Sequence, residues 1–217
     1  MNDYLITLLK SQAPSNQLMN YVKDLVRPTA LEELNQTIVN CQRCTKPCVS
    51  RQRILGKASS PIMLLLPYPI HNDKVILTYL YQLLYHFHLS PQQVTIVYTV
   101  FGMFYDEDTH TVRPPFEKEV INCLPFLRQV IEIIEPKAIF CMSSLASQVF
   151  TQEHFADCLH KQGYFNQIAL FTATYPQLIL KLKAEGNRLA EDKEALFYAT
   201  FKKMLTYLRK TYPSLNL

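Results

Sequence analysis

Hydrophobic positions along this chain switch between two periods, and the switches outline its elements. Near the start the period is helical: Leu18, Tyr21, Val22 and Leu25 fall at i, i+3, i+4 and i+7, and Pro28 is expected to close that segment. Thr29 then reads as the N-cap of a second stripe, Leu31, Leu34 and Ile38, which runs up to Asn40. Ile62–Leu66 is a continuous apolar run of strand length, fit for burial on both faces. Pro67, Pro69 and His71-Asn72-Asp73 interrupt it, after which residues 75–88 run helically and 94–101 form a β-branched strand. The polar stretch 105–115 predicts an extended loop. Glu117–Ile134 predicts a long helix, Ala138–Cys141 a strand, 143–150 a short helix, 168–174 a strand and 191–209 a closing helix.

This order predicts an α/β fold, a central mostly parallel four-stranded sheet with helices on both faces and an extra helical N-terminal segment. The expected boundaries are a helical extension over 1–40, an α/β domain over 41–210 and a tail over 211–217. A linker-like piece lies at 11–15, around Pro14. In such folds ligands gather beyond the carboxyl ends of the strands. Those ends correspond to residues 67–73, 102–113, 142–144 and 175–178.

Composition narrows the function. Of 217 residues, 48% are hydrophobic and 18% charged, which supports a buried core and argues against general disorder. No apolar run reaches the length of a membrane span, and the first residues lack the pattern of a secretion signal. A cytoplasmic location without membrane contact is therefore expected, where six cysteines serve as thiols or ligands rather than disulfides. A net charge of +4 fits contact with nucleic acid. Gly56, Gly102, Gly163 and Gly186 never cluster, which excludes a Walker loop or a dinucleotide fingerprint.

The densest candidate chemistry is Cys41-Gln42-Arg43-Cys44, followed by Cys48, Arg51 and Gly56. A C-x-x-C lets two thiolates turn onto one centre, and Cys48 adds a third sulfur within reach; zinc, an iron–sulfur cluster and a redox dithiol all begin this way. Asp106-Glu107-Asp108 with His110 reads as a solvated loop rather than a metal site. Ser143-Ser144 reads as a helix N-cap, since no nucleophile elbow surrounds it. Cys141 and Cys158 read as small hydrophobes.

Taken together, these pieces resemble the uracil-DNA glycosylase superfamily, most closely its iron–sulfur branch, family 4. The resemblance rests on Cys41…Cys44…Arg51…Gly56 followed by Pro61-Ile62-Met63-Leu64-Leu65, on Arg113-Pro114-Pro115…Glu119…Cys123-Leu124-Pro125, on Glu135-Pro136-Lys137-Ala138-Ile139, on Thr174-Tyr175-Pro176…Leu180 and on Glu194-Ala195-Leu196 through Leu205. It spans roughly residues 31–207 in the family's order.

The departures fall where the family does its chemistry. Its acidic turn after the first strand corresponds to Leu66-Pro67-Tyr68-Pro69-Ile70, with Pro67 in the acidic place and Pro69 retained. The glycine-rich loop that follows is shortened. The uracil-reading asparagine falls near Thr99 and the late histidine at Tyr175, which leaves Tyr175 as the candidate catalytic group and Pro67, Tyr68, Pro69 and Thr99 as the base pocket. Losing one such preorganised donor costs about 10²–10³-fold in rate.

The family's cluster takes four cysteines. Cys41, Cys44 and Cys123 match three of them, Met103 stands near the missing one, and Cys48 offers a sulfur from another direction. A degenerate or absent 4Fe-4S cluster is the expectation. The resemblance further implies DNA, single- or double-stranded, as a partner, with Arg43, Lys46, Arg51, Arg53, Lys181 and Lys183 as a phosphate-contacting rim. The resulting expectation is a glycosylase-like protein that has lost standard uracil excision and keeps a DNA-binding or protein-interaction role. The alternatives are an active N-glycosylase for another damaged base and a nucleoside-binding protein.

Overall fold

The structure, a computed structural model, describes residues 16–44, 48–71, 73–151 and 153–217, with backbone alone for 16–25. The linker expected at 11–15, Lys46, and the side chains of Leu18, Tyr21, Val22 and Leu25 lie outside the described residues.

In chain order the elements are helix α1 (Asn16–Val39), strands β1 (Ser50–Arg51) and β2 (Ile62–Leu66), helix α2 (Asp73–His86), strands β3 (Val94–Tyr98), β4 (Gly102–Tyr105) and β5 (Val112–Arg113), helix α3 (Glu117–Ile134), strand β6 (Ala138–Cys141), helices α4 (Ser144–Gln148) and α5 (Phe155–Cys158), strands β7 (Gln162–Phe165) and β8 (Ile168–Thr172), and helices α6 (Pro176–Ala184) and α7 (Leu189–Thr211). The main sheet runs β3-β2-β6-β8-β7. Its first four strands are parallel and β7 is antiparallel to β8. Every residue of β2, β3 and β6 is buried, as unbroken apolar runs require of strands covered on both faces.

Right-handed crossovers place α2 and α3 on opposite faces, because the chain steps from β2 outward to β3 and then back past β2 to β6. Aromatic packing seals the α2 side: Phe140 of β6 meets Phe197 and Phe201 of α7 at 5.4 and 5.1 Å, and Tyr79 of α2 meets Phe197 at 5.7 Å. Phe101 and Phe126 join β3's end to α3 at 6.3 Å.

Three expectations are corrected. The sheet has five strands rather than four. The added strand β7 turns into β8 through Asn166 and Gln167, with φ of 46° and 70°. Two successive positive φ values make the tight turn that suits a hairpin, but its usual Asn-Gly signature is absent here. Pro28 does not close a helix: α1 continues through it to Val39. The hydrogen bond a proline forfeits is outweighed by burial of Leu31, Leu34 and Ile38, on a helix packed against α3. The stretch 105–115 is no open loop, since Phe104 pairs with Arg113 and Tyr105 with Val112 in an antiparallel arm. At its tip Asp106 Oδ1 accepts hydrogen bonds from the backbone N–H groups of Asp108 and Thr109 and from the Thr109 hydroxyl.

Candidate functional site

Four thiols approach one another beside β4. Cys41 and Cys44 follow the end of α1, and β1 then pairs with β4, Ser50 opposite Met103 and Arg51 opposite Gly102. The Val49 N–H donates to the Met103 carbonyl at 2.9 Å, which draws Cys48 alongside. A Cβ placed on Gly102 would stand 3.2 Å from Cys48 Cβ, so the bare backbone of Gly102 forms the wall against which Cys48 sits. Cys123 lies on the buried side of α3. Its neighbour Asn122 donates to the Arg43 carbonyl at 3.0 Å and reaches Cys44 Sγ at 3.9 Å. Burial pushes the Cys123 thiol up to about 11, with the charges of Cys44, Cys41 and Cys48 adding to it. Burial raises Cys48 as well, opposed by Arg51 and helped by Cys44 and Cys41.

The start of α3, and with it Cys123, is set by a buried ion pair. Arg113 donates from both terminal nitrogens to Glu119 at 2.8 Å, and the Glu119 carboxylate also accepts the Phe116 N–H at 2.7 Å. The guanidinium lies between the rings of Phe116 and Phe104, at 3.8 and 5.2 Å. Arg43 stacks over Phe126 at 4.5 Å. Gly56 owes its place to backbone sterics: its φ is +128°, and a side chain would meet the Val94 carbonyl at 2.5 Å.

Among the described residues, no group of three or more His, Cys, Asp or Glu is drawn in tightly enough to hold a single metal ion.

The second candidate region lies at the carboxyl ends of the strands. Pro67 and Pro69 are buried and Tyr68 half-buried. Thr99 has no exposed surface, and both its hydroxyl and its N–H donate to the Leu66 carbonyl, at 2.9 and 2.8 Å. Tyr175 stands just ahead of α6 with its hydroxyl buried and without a hydrogen-bond partner. Burial raises the Tyr175 phenol, and the negative charges of Asp73 and Tyr68 add to the effect.

Sequence reasoning missed Asp73 and Tyr98, which meet here. The Tyr98 hydroxyl donates to Asp73 Oδ2 at 3.1 Å, and the Ile70 N–H donates to Asp73 Oδ1 at 3.1 Å. Burial lifts the Asp73 carboxyl above its ordinary range and these two bonds partly offset it. A half-buried carboxyl held by a phenol is a competent proton acceptor or donor nearer neutral pH than a solvated one. The sequence signal was present but had a simpler use: an aspartate ahead of an apolar helical stripe reads as an end cap. Next to this group, the Tyr105 hydroxyl bonds the His71 ring and ties the arm to the loop after β2.

Of the basic residues, Arg53, Lys181 and Lys183 are engaged in ion pairs. Arg53 pairs with Glu32 of α1, beside a cavity of about 550 Å³ that Gly56 and Lys57 also line. Lys183 pairs with Glu194 at 2.7 Å and Lys181 lies 3.9 Å from Glu185. Arg43 and Arg51 stay beside the thiols, on the β3 edge of the sheet. The two lysines follow β8, three strand spacings or about 14 Å across it. Ser143 caps α4 as expected, accepting from the Ala146 N–H at 3.0 Å, and Cys141 and Cys158 are buried. Among the described residues, no helix is long and apolar enough to cross a membrane.

No curated protein matches the chain. The family model of the uracil DNA glycosylase superfamily, however, matches residues 78–209, more than half of the 217 residues, from within α2 to within α7. With that match, and with a parallel-centred sheet covered on both faces, the chain belongs to the uracil DNA glycosylase superfamily.

Proposed function

We propose that this chain is a member of the superfamily that no longer performs standard uracil excision and that keeps a nucleic-acid-contacting or protein-contacting role in DNA metabolism. The observation that carries this reading is the state of Thr99. It stands where the family's uracil-reading asparagine is expected, and its hydroxyl is spent on the Leu66 carbonyl inside the fold. Excision requires a flipped base to be read along its edge and its developing charge to be met by preorganised donors. Pro67 supplies neither an acid nor a donor, and the Tyr175 hydroxyl at the late loop is buried. Within the superfamily the resemblance favours the iron–sulfur branch.

The test is incubation with single- and double-stranded oligonucleotides carrying one deoxyuridine. The expected result is no base release above the buffer control, together with DNA binding that weakens as salt rises. Brisk release of uracil overturns the reading.

A second reading rests on Asp73. Its carboxyl, bonded to Tyr98 and beside Tyr175, is placed to accept a proton from water at the strand ends, as an N-glycosylase for a different damaged base requires. Release of a free base from a panel of damaged oligonucleotides, abolished by Asp73→Asn, supports it. A panel in which no base is released removes it.

A further inference from the structure

We propose that the cavity between α1 and the chain entering β2 is a binding site of its own, one that takes a small organic phosphate with a planar or apolar body. It lies at the amino ends of β2 and β3, a strand length of about 17 Å from their carboxyl ends, and its occupancy does not depend on what the strand-end groups do.

The walls are pinned in place. Backbone hydrogen bonds tie Leu55 to Ile96, the Lys57 carbonyl accepts the Thr95 hydroxyl at 2.7 Å, and the Ser60 hydroxyl donates to the Gln92 carbonyl at 3.1 Å. The facing wall is α1, itself packed against α3. A volume of about 550 Å³ suits a small molecule rather than a bare ion.

The lining selects the ligand. Arg27, Arg53 and Lys57 stand against one carboxylate, Glu32, so an anion is favoured. Arg53 meets Glu32 through Nη2 alone, at 2.5 and 2.6 Å, and Gln36 holds the same carboxylate at 2.9 Å. The guanidinium is thereby oriented, while its Nη1 and Nε bond to no described residue. Lys57 Nζ uses one proton on Gln92 Oε1, at 2.8 Å, and keeps two. Deeper in, Asn35 is only 5% exposed. Its Oδ1 accepts the Ile54 N–H at 2.8 Å, which fixes the amide and leaves Nδ2, bonded to no described residue, as a donor for the cavity. A donor held so far inside the fold without a partner calls for an acceptor brought by a ligand. Leu31, Ile54 and Ala58 complete the lining with an apolar floor, which an organic body covers and inorganic phosphate does not.

The experiment is thermal unfolding and titration calorimetry of the full chain with AMP, UMP and 1-naphthyl phosphate, set against adenosine and inorganic phosphate. The expected result is saturable binding of at least one of the esters with a raised unfolding temperature, and binding of adenosine and inorganic phosphate weaker by about tenfold or more. Lys57→Gln and Arg53→Gln should each weaken ester binding about tenfold, the effect of one charge-assisted hydrogen bond. Asn35→Asp keeps an acceptor for the Ile54 N–H but sets a carboxylate in place of the donor, and should abolish binding. Lys118→Gln, exposed at the start of α3 at the other end of the sheet, should leave it unchanged. Unliganded variants that unfold near the parent's temperature separate lost binding from misfolding, and if Asn35→Asp unfolds early the Lys57 and Arg53 variants decide. Absence of binding by every ester at about 1 mM overturns the assignment. So does inorganic phosphate that binds as tightly as the esters, or an affinity that Lys57→Gln and Arg53→Gln leave intact.

Discussion

The thiols beside β4 and the carboxyl ends of the strands hold the chain's two sets of candidate reactive groups, and the fold treats them differently. Beside β4 the thiols of Cys41, Cys44 and Cys48 stay partly exposed while that of Cys123 is buried. At the strand ends the polar atoms at 99 and 175 are enclosed in the fold. Pro67 is buried, the Thr99 hydroxyl is used by Leu66, and the Tyr175 hydroxyl is enclosed. A base-reading group must present a donor and an acceptor in fixed directions, so enclosing its polar atoms removes it from use.

The most disruptive way to break this contrast is to remove the support beneath Cys123. Arg113→Ala removes the ion-pair partner of the buried Glu119 and should cost about 3–5 kcal/mol in urea unfolding, because the first turn of α3 then loses its anchor to β5. A variant of parental stability would show that the ion pair does not hold the helix.

Gly56→Ala comes next. The left-handed backbone and the Val94 carbonyl at 2.5 Å predict a loss of about 1–3 kcal/mol, read from the denaturation midpoint. This assigns the glycine of the cysteine motif to chain geometry rather than to chemistry.

At the strand ends the expected effects are smaller. Thr99→Val removes the hydroxyl bond to Leu66 and should destabilise by about 1 kcal/mol while leaving DNA binding unchanged. A larger change in binding than in stability would return Thr99 to the recognition surface. Asp73→Asn should act through pH. Because the folded carboxyl titrates above its unfolded value, its contribution to stability is fully present below the ordinary carboxylate range and is lost as pH rises through the folded value. The asparagine variant should therefore gain on the parent as pH rises from acid to neutral, with no gain at low pH. Thermal unfolding across that range checks the sign.

Legibility in the sequence followed how locally each feature is determined. Glu117–Ile134 and Ala138–Cys141 could be bounded from the sequence because their apolar spacing alone sets them. Strand β7 could not, since Gln162-Gly163-Tyr164-Phe165 has little strand character until β8 stands beside it. The helix running through Pro28 is likewise decided by burial of residues that follow it. In the candidate sites, the cysteines were legible as chemistry, but the value of Cys48 depends on pairing between β1 and β4. Asp73 was hidden for another reason, as its meeting with Tyr98 joins the start of a helix to the end of a strand 25 positions away.

The segment that carries Cys48 also runs on along the outer side of β3, where Leu55 and Ile96 exchange backbone hydrogen bonds of 3.0 and 2.7 Å. It thereby covers a row of donors and acceptors that a second polypeptide could otherwise join. Loosening this segment would open that edge to a second copy of the chain, and faster amide exchange at Ile96 would register the loosening.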